Sequence, residues 1–228
     1  MGGNGVEEPY NPLVDDYVLD LARRNRGRER PRVCMVPTAS GDSPSYLAAF
    51  YAAFALRSEA AHLALFGRTV EDLEGFVLDQ DVIYVGGGNT ASMLSVWRVH
   101  GLDRILARAW DAGIVLAGTS AGGNCWFEGS STDSFGPLAA LNDGLGFLPG
   151  SHSPHYDGEP GRRPLFRQLI ADGTLTDGYA SDDGAALVFR GRDMVEAIAS
   201  LPEARSYRVV RGPDGEAIET ELPTRYLG

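Results

Sequence analysis

Ile114-Val115-Leu116-Ala117-Gly118-Thr119-Ser120-Ala121-Gly122-Gly123 decides the fold. An apolar, partly β-branched run of strand character stops at Gly118 and gives way to Thr119-Ser120-Ala121-Gly122. Beyond it, Asn124-Cys125-Trp126-Phe127-Glu128 is expected to run on as a helix. Strand, tight turn and helix in that order push a serine out at the tip of a sheet. Gly118, Ala121 and Gly122 are small, so strand and helix can approach closely while the serine takes a strained backbone conformation. The helix start offers free N–H groups and a positive dipole end where an oxyanion would form. The bland alternative is a glycine-rich turn with an idle serine, because G-x-S-x-G spacing also arises by chance.

Outward from this turn the chain alternates strands and helices. Helical periodicity covers 11–23 through Leu13, Val14, Val18, Leu19 and Leu21, ending in the basic pair Arg23-Arg24. Strands are expected at 32–37, 62–66 and 81–85, helices at 45–57, 90–98 and 102–112, with a loop at 38–42. The alternation with short loops predicts an α/β fold, a mostly parallel sheet covered by helices on both faces, in a single domain over 1–228. In such sheets the active site lies at the C-terminal ends of the strands.

Composition sets the surroundings. A chain of 228 residues, 43% of them hydrophobic, suffices for one large buried core. No apolar run has the length of a membrane span, and the start Met1-Gly2-Gly3-Asn4-Gly5-Val6 has no secretory leader pattern. Val6 stands where a myristoylation signal carries Ser or Thr. The net charge of −11 argues against a nucleic-acid partner. Cys34 and Cys125 fall in apolar segments and are expected to fill core space rather than pair or bind metal. A cytoplasmic protein is the expectation.

A second glycine loop, Gly86-Gly87-Gly88-Asn89, also follows a strand and precedes a helix. It lacks the Lys-Ser/Thr ending of a phosphate loop and the full dinucleotide spacing, which argues against a nucleotide. A better use is an oxyanion hole beside Ser120, made by the N–H of Gly87 or Gly88 together with that of Ala121. A serine nucleophile needs a base, and the chain has four histidines. His62 sits in a strand and His100 closes a helix. His152 and His155 lie in the Pro/Gly-rich stretch 148–157, expected to be a loop, where Pro154 favours a fixed placement of His155. His155 is the preferred base, with His152 second. Asp133, Asp157, Asp182 and Asp183 are all candidates for the acid that orients it.

Gly86-Gly87-Gly88-Asn89, Gly118-Thr119-Ser120-Ala121-Gly122-Gly123, Pro154-His155-Tyr156-Asp157 and Asp182-Asp183-Gly184-Ala185, in this order, resemble the peptidase E and cyanophycinase family of serine peptidases. The resemblance runs from about Asn11 through Arg208. It implies a class I glutamine-amidotransferase-like, flavodoxin-like three-layer α/β/α sandwich. It also implies Ser120 as nucleophile, His155 as its activating histidine, and Gly88 and Ala121 as oxyanion donors. Asp183 falls where the family usually has a glutamate one methylene longer, with Asp182 and Asp133 as alternatives. Family members generally open with an apolar strand, whereas this chain starts at the glycine-rich loop itself.

The resemblance implies small-peptide substrates, dipeptides with an N-terminal aspartate among them, and no metal or other cofactor. A buried substrate carboxylate would need a cation, for which Arg162 and Arg163 are candidates, although both can also pair with Glu159 or Asp157. Two rival readings remain: a non-catalytic small-molecule-binding member of the fold, and an esterase or amidase using the same serine. A homodimer is compatible with the fold class.

Overall fold

The computed structural model describes residues 11–228, so the expectations about the first ten residues lie outside it. The described residues divide into two compact units: Asp15–Gly122, and Gly123–Gly228 together with 11–14.

The first unit contains α1 (Leu13–Arg26), β1 (Arg32–Val36), α2 (Pro44–Phe54), β2 (Glu59–His62), α3 (Leu73–Leu78), β3 (Val82–Val85), α4 (Thr90–His100), α5 (Leu102–Asp111) and β4 (Val115–Gly118). Its sheet has the order β2-β1-β3-β4 and every pairing is parallel. The central strands read Arg-Val-Cys-Met-Val and Val-Ile-Tyr-Val, the near-continuous apolar runs of strands covered on both faces. Val18, Leu19 and Ala22 of α1 pack with Phe50 and Phe54 of α2 against Val33, Met35, Val82 and Ala117. Asn89 caps α4, its side-chain oxygen accepting the Ser92 N–H at 2.8 Å.

Two local expectations need correction here, and one helix was not read from the sequence. The stretch 38–42 includes a 3₁₀ turn at Thr38–Ser40. The second strand lies at Glu59–His62, not 62–66, because one Asp42 carboxylate oxygen takes the N–H groups of both Leu65 and Phe66 (2.7 and 2.8 Å). Those donors are thereby lost to a strand ladder. Helix α3 has only six residues, too few to show a helical period; Asp72 caps it by accepting the Gly75 N–H.

Past Ser120 the expected helix is one turn only, α6 (Ala121–Asn124). The chain then enters β5 (Phe127–Thr132), where Phe127 pairs with Leu148 and its ring stacks on His152. The run Gly-Ser-Ser-Thr has little helix propensity, and strand pairing satisfies its backbone. The second unit continues with β6 (Ala139–Leu141), β7 (Leu148–Ser153), α7 (Arg162–Ala171), β8 (Gly178–Ser181), β9 (Ala185–Arg190), β10 (Asp193–Ala199), β11 (Ser206–Arg211), β12 (Ala217–Glu221) and β13 (Thr224–Tyr226). Its larger sheet, β12-β11-β8-β7-β5-β6, is parallel at β8-β7-β5 and antiparallel at both flanks; β13-β10-β9 form a smaller one. Phe166 and Ile170 of α7 pack with Tyr156, Leu175, Ala180, Tyr207 and Val209. The α/β class with parallel central strands, expected from the sequence, is the class observed.

Candidate active site

Ser120 follows β4 with φ 53°, a left-handed conformation that few non-glycine residues adopt. Close packing holds it there. A Cβ on Gly118 would lie 2.0 Å from the Gly122 carbonyl oxygen, and one on Gly122 would lie 2.3 Å from that of Val85. The Gly122 N–H donates to the Thr119 carbonyl at 2.9 Å, closing the turn. All these contacts are backbone, which cannot swing aside as a side-chain tip can. Gly118→Ala is therefore expected to lower stability by about 3 kcal/mol. A thermal melt should show this as a fall in Tm of roughly 6–12 °C.

The other glycine loop stands beside the serine. A methyl group on Gly87 would sit 3.3 Å from Ser120 Cβ. Gly88 has φ 132°, and a Cβ there would meet the Ala39 carbonyl oxygen at 2.2 Å, where the Asn89 N–H also donates (2.8 Å). Only glycine fits that approach. Ala121 is buried as the first residue of α6. Because α6 is a single turn, it presents main-chain N–H groups rather than the dipole of a long helix.

In the second unit, Leu148–Ser153 forms strand β7 instead of the expected loop, and this separates the two histidines. His152, on the strand, is 2% exposed, with Nδ1 2.8 Å from Asn124 Oδ1 and its ring 5.0 Å from that of Phe127. Burial pushes its pKa well below the ordinary range, with the Arg162 charge adding to the effect. It is a neutral packing residue. His155 lies two residues beyond the strand, also at φ 53°, with Nδ1 2.7 Å from Asp183 Oδ1. A carboxylate can only accept, so Nδ1 carries the proton and Nε2 is left as the basic nitrogen. Of the other histidines, His62 bonds the Tyr51 hydroxyl at 2.8 Å and His100 ends α4.

Among the four aspartates, the structure brings Asp183 to His155. Asp157 holds Asp183 from behind, its Oδ1 accepting the Asp183 N–H at 2.9 Å. The Tyr156 N–H donates to the Ser181 carbonyl at 3.1 Å, so segments 155–157 and 181–183 are laced together. The shorter aspartate reaches the imidazole at ordinary hydrogen-bond length because Gly158 leaves room. A Cβ there would lie 2.3 Å from Asp183 Oδ2. Asp133 is exposed in the turn after β5.

Asp182 points elsewhere. Its Oδ2 accepts the Arg205 N–H at 3.0 Å and the Tyr207 hydroxyl at 3.4 Å, while its Oδ1 is buried without a partner. Burial raises its pKa from 3.8 to about 6; Asp157 adds to the rise, and Arg205, Tyr207 and Arg163 oppose it. A raised folded-state pKa contributes stability that is complete below pH 3.8 and lost as pH rises through about 6. Asp182→Asn, which stays neutral, should match the parent Tm near pH 4. By pH 8 it should exceed the parent by about 2–6 °C, measured by melts across that range.

The two arginines are engaged within the chain. Arg162 is 3% exposed; its Nε donates to Glu159 at 2.8 Å and its Nη1 to the Ser131 carbonyl at 2.9 Å. Arg163 pairs with Glu219 and lies over the rings of Tyr156 and Tyr207 at 5.2 and 4.8 Å. Sequence proximity suggested the Glu159 partner; Glu219 lies on a distant hairpin and was not legible. Cys34 and Cys125 are buried thiols that form no disulfide, and burial pushes the pKa of both up. No cluster of metal-ligating side chains occurs among the described residues, and no described helix is long and apolar enough to cross a membrane.

A parallel α/β scaffold with a serine on a strained strand-to-helix turn, and a histidine bonded to an aspartate, has the features of a serine-type hydrolase. The chain belongs to peptidase family S51, whose model it matches over residues 1–197, a span that includes every candidate site residue. It is a peptidase. The "Uncharacterized peptidase YgaJ" of Bacillus subtilis (strain 168) is 50% identical over 230 residues, covering 100% of this chain and 97% of that one. A "Peptidase E" from Shewanella denitrificans is 30% identical over 131 residues, 53% of this chain and 55% of its own. The crystal structure of a peptidase from an acI-B1 Actinobacterium shares the fold, with a TM-score of 0.71 at 18% identity over 93% of this chain and 89% of that one. A putative peptidase E protein from Listeria monocytogenes EGD-e gives a TM-score of 0.56 at 20% identity, covering 90% and 93%. The family read from the four sequence motifs is the family found.

Proposed function

We propose that this peptidase hydrolyses small peptides of dipeptide size, with Ser120, His155 and Asp183 acting as one triad. The observation that carries the reading is the 2.7 Å bond from His155 Nδ1 to Asp183 Oδ1, in a chain of a peptidase family whose serine elbow is intact. His155 Nε2 takes the Ser120 proton as Oγ attacks the peptide carbonyl. The N–H groups of Gly88 and Ala121 receive the oxyanion. The imidazolium then protonates the leaving amine, and water, deprotonated by the same nitrogen, releases the acyl group. The chemistry calls for no cofactor. A preference for an N-terminal aspartate draws no support from Arg162 or Arg163, whose guanidiniums serve Glu159, Ser131 and Glu219.

The test is incubation of the purified protein with a dipeptide library, free amino acids being followed by mass spectrometry, alongside labelling with a fluorophosphonate mapped by peptide mass. Released amino acids and a label on Ser120 are the expected result. Cleavage confined to acyl esters, with dipeptides untouched, would overturn the substrate assignment. A folded protein that neither cleaves nor takes the label at Ser120 would overturn the mechanism.

A further inference from the structure

Tyr46 is the third residue of α2, in the turn that follows Ser43 and Pro44, and nothing in its sequence spacing marks it. Its ring lies over the bare backbone of the Gly86–Asn89 loop. A Cβ built on Gly86 would meet Tyr46 Cδ1 at 3.5 Å and Cε1 at 3.9 Å. One built on Gly87 would have Ser120 Cβ at 3.3 Å, the Tyr46 hydroxyl oxygen at 3.6 Å and the Thr119 carbonyl oxygen at 3.8 Å as its three nearest atoms. The space left by the missing Gly87 side chain is therefore bordered by both the serine and a phenol oxygen. The tyrosine is 42% exposed, so it is a wall open to solvent rather than a core residue.

We propose that Tyr46 is a substrate-binding residue, its ring forming one wall beside Ser120 and its hydroxyl donating a hydrogen bond to a main-chain oxygen of the bound peptide. This rests on the peptidase reading of Ser120. A phenol suits the role: it presents a rigid apolar face to the peptide and a single donor at its tip. Because the oxygen it meets belongs to the main chain, its contribution is the same for dipeptides with different side chains. It acts on binding, not on the reactivity of the serine.

Two variants separate the hydroxyl from the ring, and two readouts separate substrate binding from nucleophile strength. Tyr46→Phe is expected to lower kcat/KM by about tenfold, through KM, to a similar extent across dipeptides of differing side chains. Tyr46→Ala, which also removes the ring, is expected to lower it by about a hundredfold. In both, the rate at which a small fluorophosphonate labels Ser120 should stay at the parent value. Unchanged kcat/KM in both variants would overturn the inference, as would a fall in labelling rate that matches the fall in hydrolysis. A parent protein that is neither labelled nor hydrolytic would overturn the peptidase reading itself, and the role of Tyr46 with it.

Discussion

Replacing Ser120 by alanine is expected to lower kcat for peptide hydrolysis by about 10⁶-fold, the effect of removing the nucleophile from a working triad. The change deletes one oxygen and keeps the Cβ that sits against Gly87. Alanine at φ 53° bears the same backbone strain as serine, so circular dichroism and Tm should match the parent. The remaining rate should still exceed that of the uncatalysed reaction by about 10³–10⁴-fold, because the oxyanion donors and substrate binding survive. A variant that hydrolysed peptides at the parent rate would show that Ser120 is not the nucleophile.

Asp183→Asn is expected to cost about four orders of magnitude in kcat with little loss of substrate binding. The substitution is nearly isosteric, so the Asp183 N–H to Asp157 bond and the room left by Gly158 are kept. The tautomer is what changes. An amide group turned toward His155 donates where the carboxylate accepted, which places the imidazole proton on Nε2. That nitrogen can then no longer take a proton from serine. A pH–rate profile would separate this from misfolding, since the asparagine variant should recover part of its rate at high pH. Loss of activity with a collapsed Tm would instead mark Asp183 as a structural residue.

The two halves of this arrangement differed in how much the sequence revealed. The turn at Ser120 was legible because its cause is local: Gly118 and Gly122 are glycines since backbone atoms occupy the space their side chains would need. The aspartate that bonds His155 was not legible among four candidates because its cause is the sheet register. Strands β7 and β8 pair in parallel, Ser151 beside Gly178 and Ser153 beside Ala180. That pairing carries residues 155 and 183, which are 28 apart in sequence, to the same end of the sheet. No local spacing encodes such a register. The strand holding His152 was hidden for another reason: Leu-Pro-Gly-Ser-His-Ser has no β-branched residue and reads as a loop. Helix α6 was overextended because Cys-Trp-Phe is equally at home in either element, and the stacking of Phe127 on His152 decided it.

Ser120 and His155 share an unusual circumstance: each occupies a left-handed backbone conformation that glycine would adopt without strain. For an L-residue that conformation carries a penalty of roughly 1–2 kcal/mol. A campaign to raise the thermostability of this chain, scored only by melting temperature, would therefore favour glycine at both positions. With the proposed triad, its best melters would be inert. Any screen of variants of this protein has to read turnover and heat resistance together, because at these two residues the gradients point in opposite directions.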